Sequence, residues 1–231
     1  MKQNIYDYSF EMSRQRKHNI TVALIVSVSV FIFLNIVVNF ILFPVLVRSD
    51  SMSEEISANS VVFVTPLTRT SERGDVVLVK RLDGKKLSAG ENVLNLVFRF
   101  FTAQTFAPFG HSSRATGKES IRRVLALPGD TIYMKDYVLY VKPAGQSQFL
   151  SEFEVSDGDY SILSFSVPAE WDCIGSNPQM EETVLKENEY FVLADNRVEA
   201  VDSRSYGPIT ADKIGGKVVL EYFPLSRFKA F

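Results

Sequence analysis

The sequence predicts a mostly β domain, antiparallel and barrel-like, that follows a single N-terminal transmembrane helix. Three observations predict this fold class. Residues 20–47 contain no charged side chain. Beyond them, short runs rich in Val, Ile, Tyr and Phe recur between turn-forming residues, which is the pattern of β-strands. Helical periodicity is weak in the same region, and Gly, Pro and Asp interrupt it often, so antiparallel strands joined by tight turns are favoured.

Residues 20–47 are expected to cross the membrane as an uncleaved helix. At ~1.5 Å per residue, a helix of this length exceeds the ~30 Å hydrocarbon core of a bilayer. The stretch is far longer than the roughly 7 to 15 apolar residues of a cleaved signal peptide, and no small-residue cleavage motif follows it. Asn35 and Asn39 share one face of this helix, where they either hydrogen-bond a partner helix or are simply tolerated.

The charges that flank this segment predict its orientation. Arg14, Arg16 and Lys17 precede it, whereas Arg48 is the only basic residue within about 20 positions after it. The positive-inside rule therefore places the N-terminus in the cytoplasm. The expected organisation is a cytoplasmic tail at 1–19, a transmembrane helix at 20–47 and an extracytoplasmic domain at 48–231.

The predicted strands are separated by two stretches that look like insertions. The strands fall at residues 61–64, 76–79, 122–127, 131–134, 138–141, 190–193 and 217–222. The first insertion, 87–118, contains an apolar part at 93–109, which is either a membrane-dipping or substrate-facing surface or an ordinary buried element. The second, 143–189, holds Trp171 and Cys173 and suits a small lobe or long loops.

Composition excludes several kinds of partner and site. The net charge is −2 and the basic residues are scattered, so no basic face predicts nucleic-acid binding. The single cysteine, Cys173, cannot form an internal disulfide. His18 and His111 are the only histidines and no Cys/His cluster has metal-ligand spacing, so neither a metal nor a cofactor is expected.

Three short motifs bring together residue types that can carry chemistry. Directly after the helix, Ser-Asp-Ser-Met at 49–52 places two hydroxyls two positions apart. A strand at 122–127 then runs into Pro128 and Gly129, which fit positions i+1 and i+2 of a type II turn. Finally, Asp-Asn-Arg at 195–197 and Asp-Ser-Arg at 202–204 supply paired charges that brace a site or close a loop.

Taken in this order, the helix and the motifs resemble the type I signal peptidases, bacterial membrane serine endopeptidases that remove signal peptides from exported proteins. The resemblance covers most of the chain. It is carried by Ser-x-Ser-Met at 49–52, Arg-Gly-Asp-Val-Val at 73–77, Arg-Val-x-x-Leu-Pro-Gly-Asp at 123–130, and the Asp-Asn-Arg and Asp-Ser-Arg pair. It implies a single-pass protein of the bacterial cytoplasmic membrane.

The resemblance also implies roles for individual residues. Ser51 stands at the position of the nucleophile, and Ser49 at that of a hydroxyl that helps to hold the oxyanion. The general base of the family is a lysine, and Arg122 occupies its position. Supporting positions are occupied by Met52, Arg123, Asp195, Asn196, Arg197, Asp202, Ser203 and Arg204.

Arg122 is the departure with the largest chemical consequence. A guanidinium keeps its proton at any ordinary pH and has five donors and no acceptor, so it cannot be a general base. Ala200 stands where the family has a serine that orients the lysine, and Ala194 stands where the family has a glycine. Asp50 and Ser53 also depart from the common pattern, in ways that could narrow or charge the floor of the site. Candidate replacement bases are Lys118 and Lys80.

Two functions are therefore expected as alternatives. In the first, the chain is an active signal peptidase in which Ser51 attacks the peptide bond and another group replaces the lysine. In the second, it is a catalytically silent relative that binds signal peptides or exported chains without cleaving them. Both imply signal peptides of exported proteins and the lipid bilayer as partners, association with the export machinery, and no nucleic acid.

Overall fold

The computed structural model describes most of the chain. The described residues are 5–37, 41–68, 70–80, 88, 90–91, 94, 98, 119–156, 160–164, 178–198 and 200–231. The apolar insertion at 93–109 lies outside them apart from Leu94 and Phe98, and so do Asn39, Lys118, Trp171 and Cys173.

The first element is one long helix, α1 (Ile5–Ile36). Its segment Met12–Ile36 has 25 residues and a mean hydropathy of 2.2, so by length and composition it can cross a membrane. Leu24 and Phe33 are 62% and 64% exposed, as expected of an apolar helix that faces lipid rather than a protein core. The side chain of Asn35 donates to the Phe31 carbonyl at 2.9 Å, so its amide is satisfied within the helix.

The predicted end of the helix at residue 47 is wrong, and the observed helix begins before residue 20. The helix already includes residues 5–19, which were expected to form a separate tail, and it ends at Ile36. Phe43–Leu46 form a β-strand instead. Pro44 has no N–H for a helical hydrogen bond, and the alternation of buried Phe43 and Val45 with exposed neighbours has the two-residue period of a strand.

Most of the described residues after α1 form strands. In chain order these are β1 (Phe43–Leu46), β2 (Val61–Thr65), β3 (Val76–Val79), β4 (Ser120–Ala126), β5 (Thr131–Lys135), β6 (Val138–Lys142), β7 (Leu150–Ser151), β8 (Met180–Val184), β9 (Glu189–Leu193), β10 (Ile209–Thr210), β11 (Ile214–Phe223) and β12 (Lys229–Ala230), with two four-residue helices, α2 (Glu152–Val155) and α3 (Ser203–Tyr206). Each of the seven predicted runs falls on a strand, with only Leu127 past its end. The mostly β, antiparallel fold class is thus confirmed.

Two sheets form the domain. The larger has the order β1-β2-β11-β3-β4-β9-β10, with β12 also paired to β11, and the smaller has the order β7-β6-β5-β8. All these pairs are antiparallel. The second predicted insertion, 143–189, supplies β7, α2 and β8, and so belongs to a lobe built on the β5–β6 hairpin.

Hydrophobic packing fixes the position of the segments that carry the motifs. Met52, fully buried, belongs to the same core cluster as β1, β2 and β3, so the turn after β1 is anchored under the large sheet. A second cluster packs β5 and β6 against β4 and β9. The predicted turn at Pro128 and Gly129 is confirmed: Gly129 has φ +84°, and the Asp130 N–H donates to the Leu127 carbonyl at 3.1 Å.

Candidate active site

Ser51 lies on a short 3₁₀ turn, Asp50–Met52, which begins four residues after the end of β1. Its hydroxyl oxygen is 3.0 Å from that of Ser49, and either group can be the donor. The Asn196 N–H donates to the Ser51 carbonyl at 3.0 Å, and its side-chain amide reaches the Asp50 carbonyl at 3.4 Å. Burial of Met52 and the hydrogen bonds from Asn196 therefore hold the turn in place, and Ser51 itself is partly exposed.

Arg122, on β4, contacts Ser51 directly. Its Nη1 donates to the Ser51 hydroxyl oxygen at 2.8 Å and to the Ile121 carbonyl at 2.5 Å, and its Nη2 donates to the Val201 carbonyl at 2.8 Å. The residue is 5% exposed. Its Nε is buried with no hydrogen-bond partner among the described residues. The guanidinium thus ties Ser51, β4 and the 200–202 segment together.

Arg122 remains positively charged although it is buried. Burial lowers the pKa of the guanidinium, and the nearby Tyr206 and Asp202 oppose that shift. An arginine starts so far above neutral pH that it remains a cation, and a cation that only donates hydrogen bonds cannot accept the serine proton. In the described part of the chain, the hydrogen-bond partners of the Ser51 hydroxyl are Ser49 and Arg122, and neither is a general base.

Arg123, the next residue on β4, braces the site through a buried ion pair. Its Nε and Nη2 donate to the two carboxylate oxygens of Asp195 at 3.0 and 2.6 Å, and Nη2 also bonds Glu55. Burial opposes the charge on Arg123, but the hydrogen bonds and negative charge of Asp195, with those of Glu55, raise its pKa above its ordinary value. The bidentate geometry joins β4 to the segment that supports Ser51.

The arginines of the Asp-Asn-Arg and Asp-Ser-Arg motifs are also paired. Arg197, fully buried, forms a bidentate ion pair with Glu152 of α2 and donates to the Tyr137 carbonyl at 2.6 Å. Asp202 accepts from the Arg204 side chain and from the Ala194 N–H. These pairs stabilise the loops at 194–204 and connect them to the small lobe.

The hydroxyl of Ser203 supports the end of the large sheet. It accepts a hydrogen bond from the Val192 N–H of β9 at 3.1 Å. An ion pair joins the Arg-Gly-Asp-Val-Val motif to the turn after β4. Arg73 donates to both carboxylate oxygens of Asp130, at 2.7 and 2.8 Å. The motifs that the sequence singles out therefore meet around one turn.

Comparison with known proteins identifies this constellation. The family model described as signal peptidase, peptidase S26, matches residues 19–223. The chain belongs to the signal peptidase family. Signal peptidase IB of Staphylococcus aureus (strain COL) is 30% identical over 208 residues, which cover 89% of this chain and 91% of that protein. Signal peptidase I V of Bacillus subtilis (strain 168) is 36% identical over 103 residues, 44% of this chain and 56% of that protein.

A crystal structure of a signal peptidase I from Enterococcus faecalis V583 is matched over 64% of this chain and 96% of that one, at 20% identity and a TM-score of 0.31. Membership of the signal peptidase family supports signal-peptide substrates and association with a membrane. The apolar helix α1 fits a single-pass membrane protein.

Of the two predicted replacements for the signal peptidase lysine, only Lys80 lies among the described residues. Lys118 lies outside the described residues. Lys80 is exposed just past β3, and its ammonium donates to the Asp212 carbonyl at 3.0 Å. Val77 is the residue that pairs with Arg122, so Lys80 is about 10 Å farther along and, by strand alternation, on the opposite face. Lys80 is therefore too distant to take the Ser51 proton.

The two alanines that depart from the signal peptidase pattern are both buried. Ala194 is fully buried, and its backbone is fully used, because its N–H donates to Asp202 and its carbonyl accepts from Arg197. Ala200 is 5% exposed and lies next to Val201, whose carbonyl Arg122 holds. An alanine at 200 offers no side-chain oxygen to orient a base.

Three residues at the site were missed from the sequence. Glu55 and Glu152 pair with motif arginines. Neither belongs to a motif, and nothing in the neighbouring sequence indicates that its carboxylate is buried rather than exposed to solvent. Leu163 forms an isolated parallel bridge with Asn196. No local sequence signal predicts such a long-range backbone contact.

Proposed function

We propose that this chain binds the signal peptides of exported proteins at the outer face of the cytoplasmic membrane and does not cleave them at the rate of a signal peptidase with a lysine base. The observation that carries the proposal is the 2.8 Å hydrogen bond from Arg122 to the Ser51 hydroxyl. Family membership supports the substrate class. The donor-only chemistry of the guanidinium supports the loss of ordinary turnover.

The orientation and the partners are part of the same proposal. The N-terminus lies in the cytoplasm, because the basic residues cluster before α1. The β domain then faces outward, where a signal peptide emerges from the bilayer close to Ser51. Association with the export machinery follows from that location, since the machinery delivers such peptides there.

A second candidate function, slow endopeptidase activity, is favoured by the hydroxyl pair. Ser49 and Ser51 are 3.0 Å apart, and Ser51 is partly exposed. In this reading Ser51 attacks the peptide carbonyl, Ser49 helps to hold the oxyanion, and Arg122 stabilises a serine alkoxide. A water molecule or hydroxide must then remove the proton, and loss of a positioned general base lowers the rate by ~10² to 10⁴.

One experiment tests the proposal against this second candidate. The full chain in lipid nanodiscs is mixed with a fluorescent signal-peptide substrate, and binding is followed by anisotropy while cleavage is followed by mass spectrometry. The proposal predicts saturable binding, an intact peptide, and unchanged affinity in Ser51→Ala. Cleavage at a single bond that Ser51→Ala abolishes would support the slow peptidase, and absence of binding would contradict both.

A further inference from the structure

Residues 160–164 of the small lobe run alongside the segment that supports Ser51. The Leu163 N–H donates to the Asp195 carbonyl at 2.9 Å, and the Leu163 carbonyl accepts from the Arg197 N–H at 2.9 Å. These two bonds form a parallel bridge between Leu163 and Asn196. The lobe therefore reaches back to the site through a backbone contact.

Three backbone segments consequently lie side by side in the order Leu163, Asn196, Ser51. On one side of the 195–197 segment, the Asp195 carbonyl and the Arg197 N–H bond to Leu163. On the opposite side, the Asn196 N–H donates to the Ser51 carbonyl at 3.0 Å. Neighbouring strands are ~4.8 Å apart, so Leu163 lies about 10 Å from Ser51 across this short array.

The side chain of Leu163 lies on the same face as that of its bridge partner, because paired residues in a sheet project to the same side. The Asn196 side chain is directed at the Asp50 carbonyl of the Ser51 turn. Leu163 is 42% exposed. An apolar side chain is thus presented to solvent on the face where the Ser51 turn lies.

The segment that carries Leu163 is firmly anchored. Tyr160 donates its hydroxyl to Glu152 at 2.6 Å, and its ring lies 4.2 Å from the guanidinium of Arg123. Glu152 in turn pairs with the fully buried Arg197. Leu163 therefore has a defined position relative to Ser51.

We propose that Leu163 is a specificity-determining contact for the bound peptide. The proposed peptide runs across the array from Ser51 towards Leu163 and advances ~3.3 Å per residue, so the separation of about 10 Å places Leu163 against a side chain about three residues from the bond held at Ser51. The contact selects an apolar side chain at that position. The inference rests on the proposed function, because it names a contact for the peptide that the chain is proposed to bind.

The test uses the full chain in nanodiscs and a panel of fluorescent signal peptides. The peptides carry Leu, Ala, Asp or Lys at each of the positions two to four residues on either side of the family's expected cleavage bond. The variants are Leu163→Asp and Leu163→Lys. The matched control is Val184→Asp, because Val184 is a 65% exposed aliphatic residue on β8 of the same lobe.

Leu163→Asp is expected to weaken binding of the peptide that carries Leu at the contacted position, and at that position only. The expected loss of affinity is about tenfold, the effect of losing one buried aliphatic contact. Leu163→Lys is expected to bind the peptide with Asp at this position more tightly than the peptide with Leu. The affinities of Val184→Asp are expected to stay within twofold of those of wild type.

Equal effects of the Leu163 and Val184 variants, or no reversal at any position, would overturn the contact while leaving the proposed function in place. A wild-type chain that binds none of the peptides would overturn both.

Discussion

Replacement of Arg122 by lysine exchanges the guanidinium that contacts Ser51 for an amine that can act as a general base when neutral. Lysine Nζ falls near the position of the guanidinium carbon, which is ~1.33 Å from Nη1. Since Nη1 is 2.8 Å from the Ser51 hydroxyl oxygen, Nζ lies no more than about 4 Å from it before any adjustment. A small rotation brings the amine within hydrogen-bond reach.

The surroundings of position 122 also favour a neutral amine. Burial lowers the pKa of Arg122, and Arg204 adds to that shift. Burial can lower the pKa of a lysine by up to ~3 to 5 units from its ordinary ~10.4, which brings it close to neutral. Tyr206 and Asp202 oppose part of this shift. We expect Arg122→Lys to raise signal-peptide cleavage by ~10² to 10⁴, the usual worth of a general base.

The assay is single-turnover cleavage of a signal-peptide substrate with the protein in excess, in nanodiscs. The variants are wild type, Arg122→Lys, Arg122→Lys with Ala200→Ser, and each lysine variant combined with Ser51→Ala. The added serine is expected to increase the rate further, because it supplies the orienting hydroxyl that the family carries there. The rate gained by lysine is expected to fall at acidic pH, as the amine becomes protonated.

Two results would refute this reasoning. One is an Arg122→Lys protein that binds the peptide with wild-type affinity and still does not cleave it, even with Ala200→Ser. The other is a wild-type protein that already cleaves as fast as the lysine variant, since Arg122 would then not be the obstacle.

Three further predictions concern the framework of the site. Glu152→Gln breaks the fully buried pair with Arg197 and is expected to lower the free energy of unfolding by ~3 to 5 kcal/mol in urea denaturation, and an unchanged midpoint would contradict this. Gly216→Ala places a Cβ against the Thr65 carbonyl oxygen of β2 and is expected to lower the free energy of unfolding by ~1 to 3 kcal/mol. The loss should exceed that of Gly145→Ala, because Gly145 also has positive φ but an added Cβ there meets nothing within 4 Å. Burial opposes the charge on Glu55, but neighbouring cations lower its pKa below the ordinary 4.5. Its contribution to stability is therefore fully present above that pH and is lost as the pH falls from there through the lowered pKa. The stability gap between wild type and Glu55→Gln should shrink over this acidic range, and a gap independent of pH would exclude the charge as its cause.

The sequence predicts well those features that depend on local patterns. Short runs rich in Val, Ile, Tyr and Phe predict the strands, and Pro128 with Gly129 predicts a tight turn, because residue composition and turn chemistry are local properties. The end of α1 was missed because Phe43–Leu46 is as apolar as the helix before it. Only its pairing with β2, and the effect of Pro44, distinguish it as a strand.

At the site, the motifs named the arginines but not all of their partners. The pairing of Arg123 with Asp195 joins two motif residues, whereas Glu55 and Glu152 come from segments without any motif. The approach of Leu163 to Asn196 depends on how the small lobe folds back onto the large sheet. Such contacts follow from tertiary packing and are not encoded in a local pattern.

The most direct test of the central claim is whether the wild-type chain leaves a bound signal peptide intact. The full-length protein in nanodiscs is saturated with the peptide, binding is confirmed by anisotropy in the same sample, and the peptide mass is followed over hours. The account predicts a bound peptide of unchanged mass in wild type and in Ser51→Ala alike. Cleavage at one bond in wild type, abolished by Ser51→Ala, would contradict it.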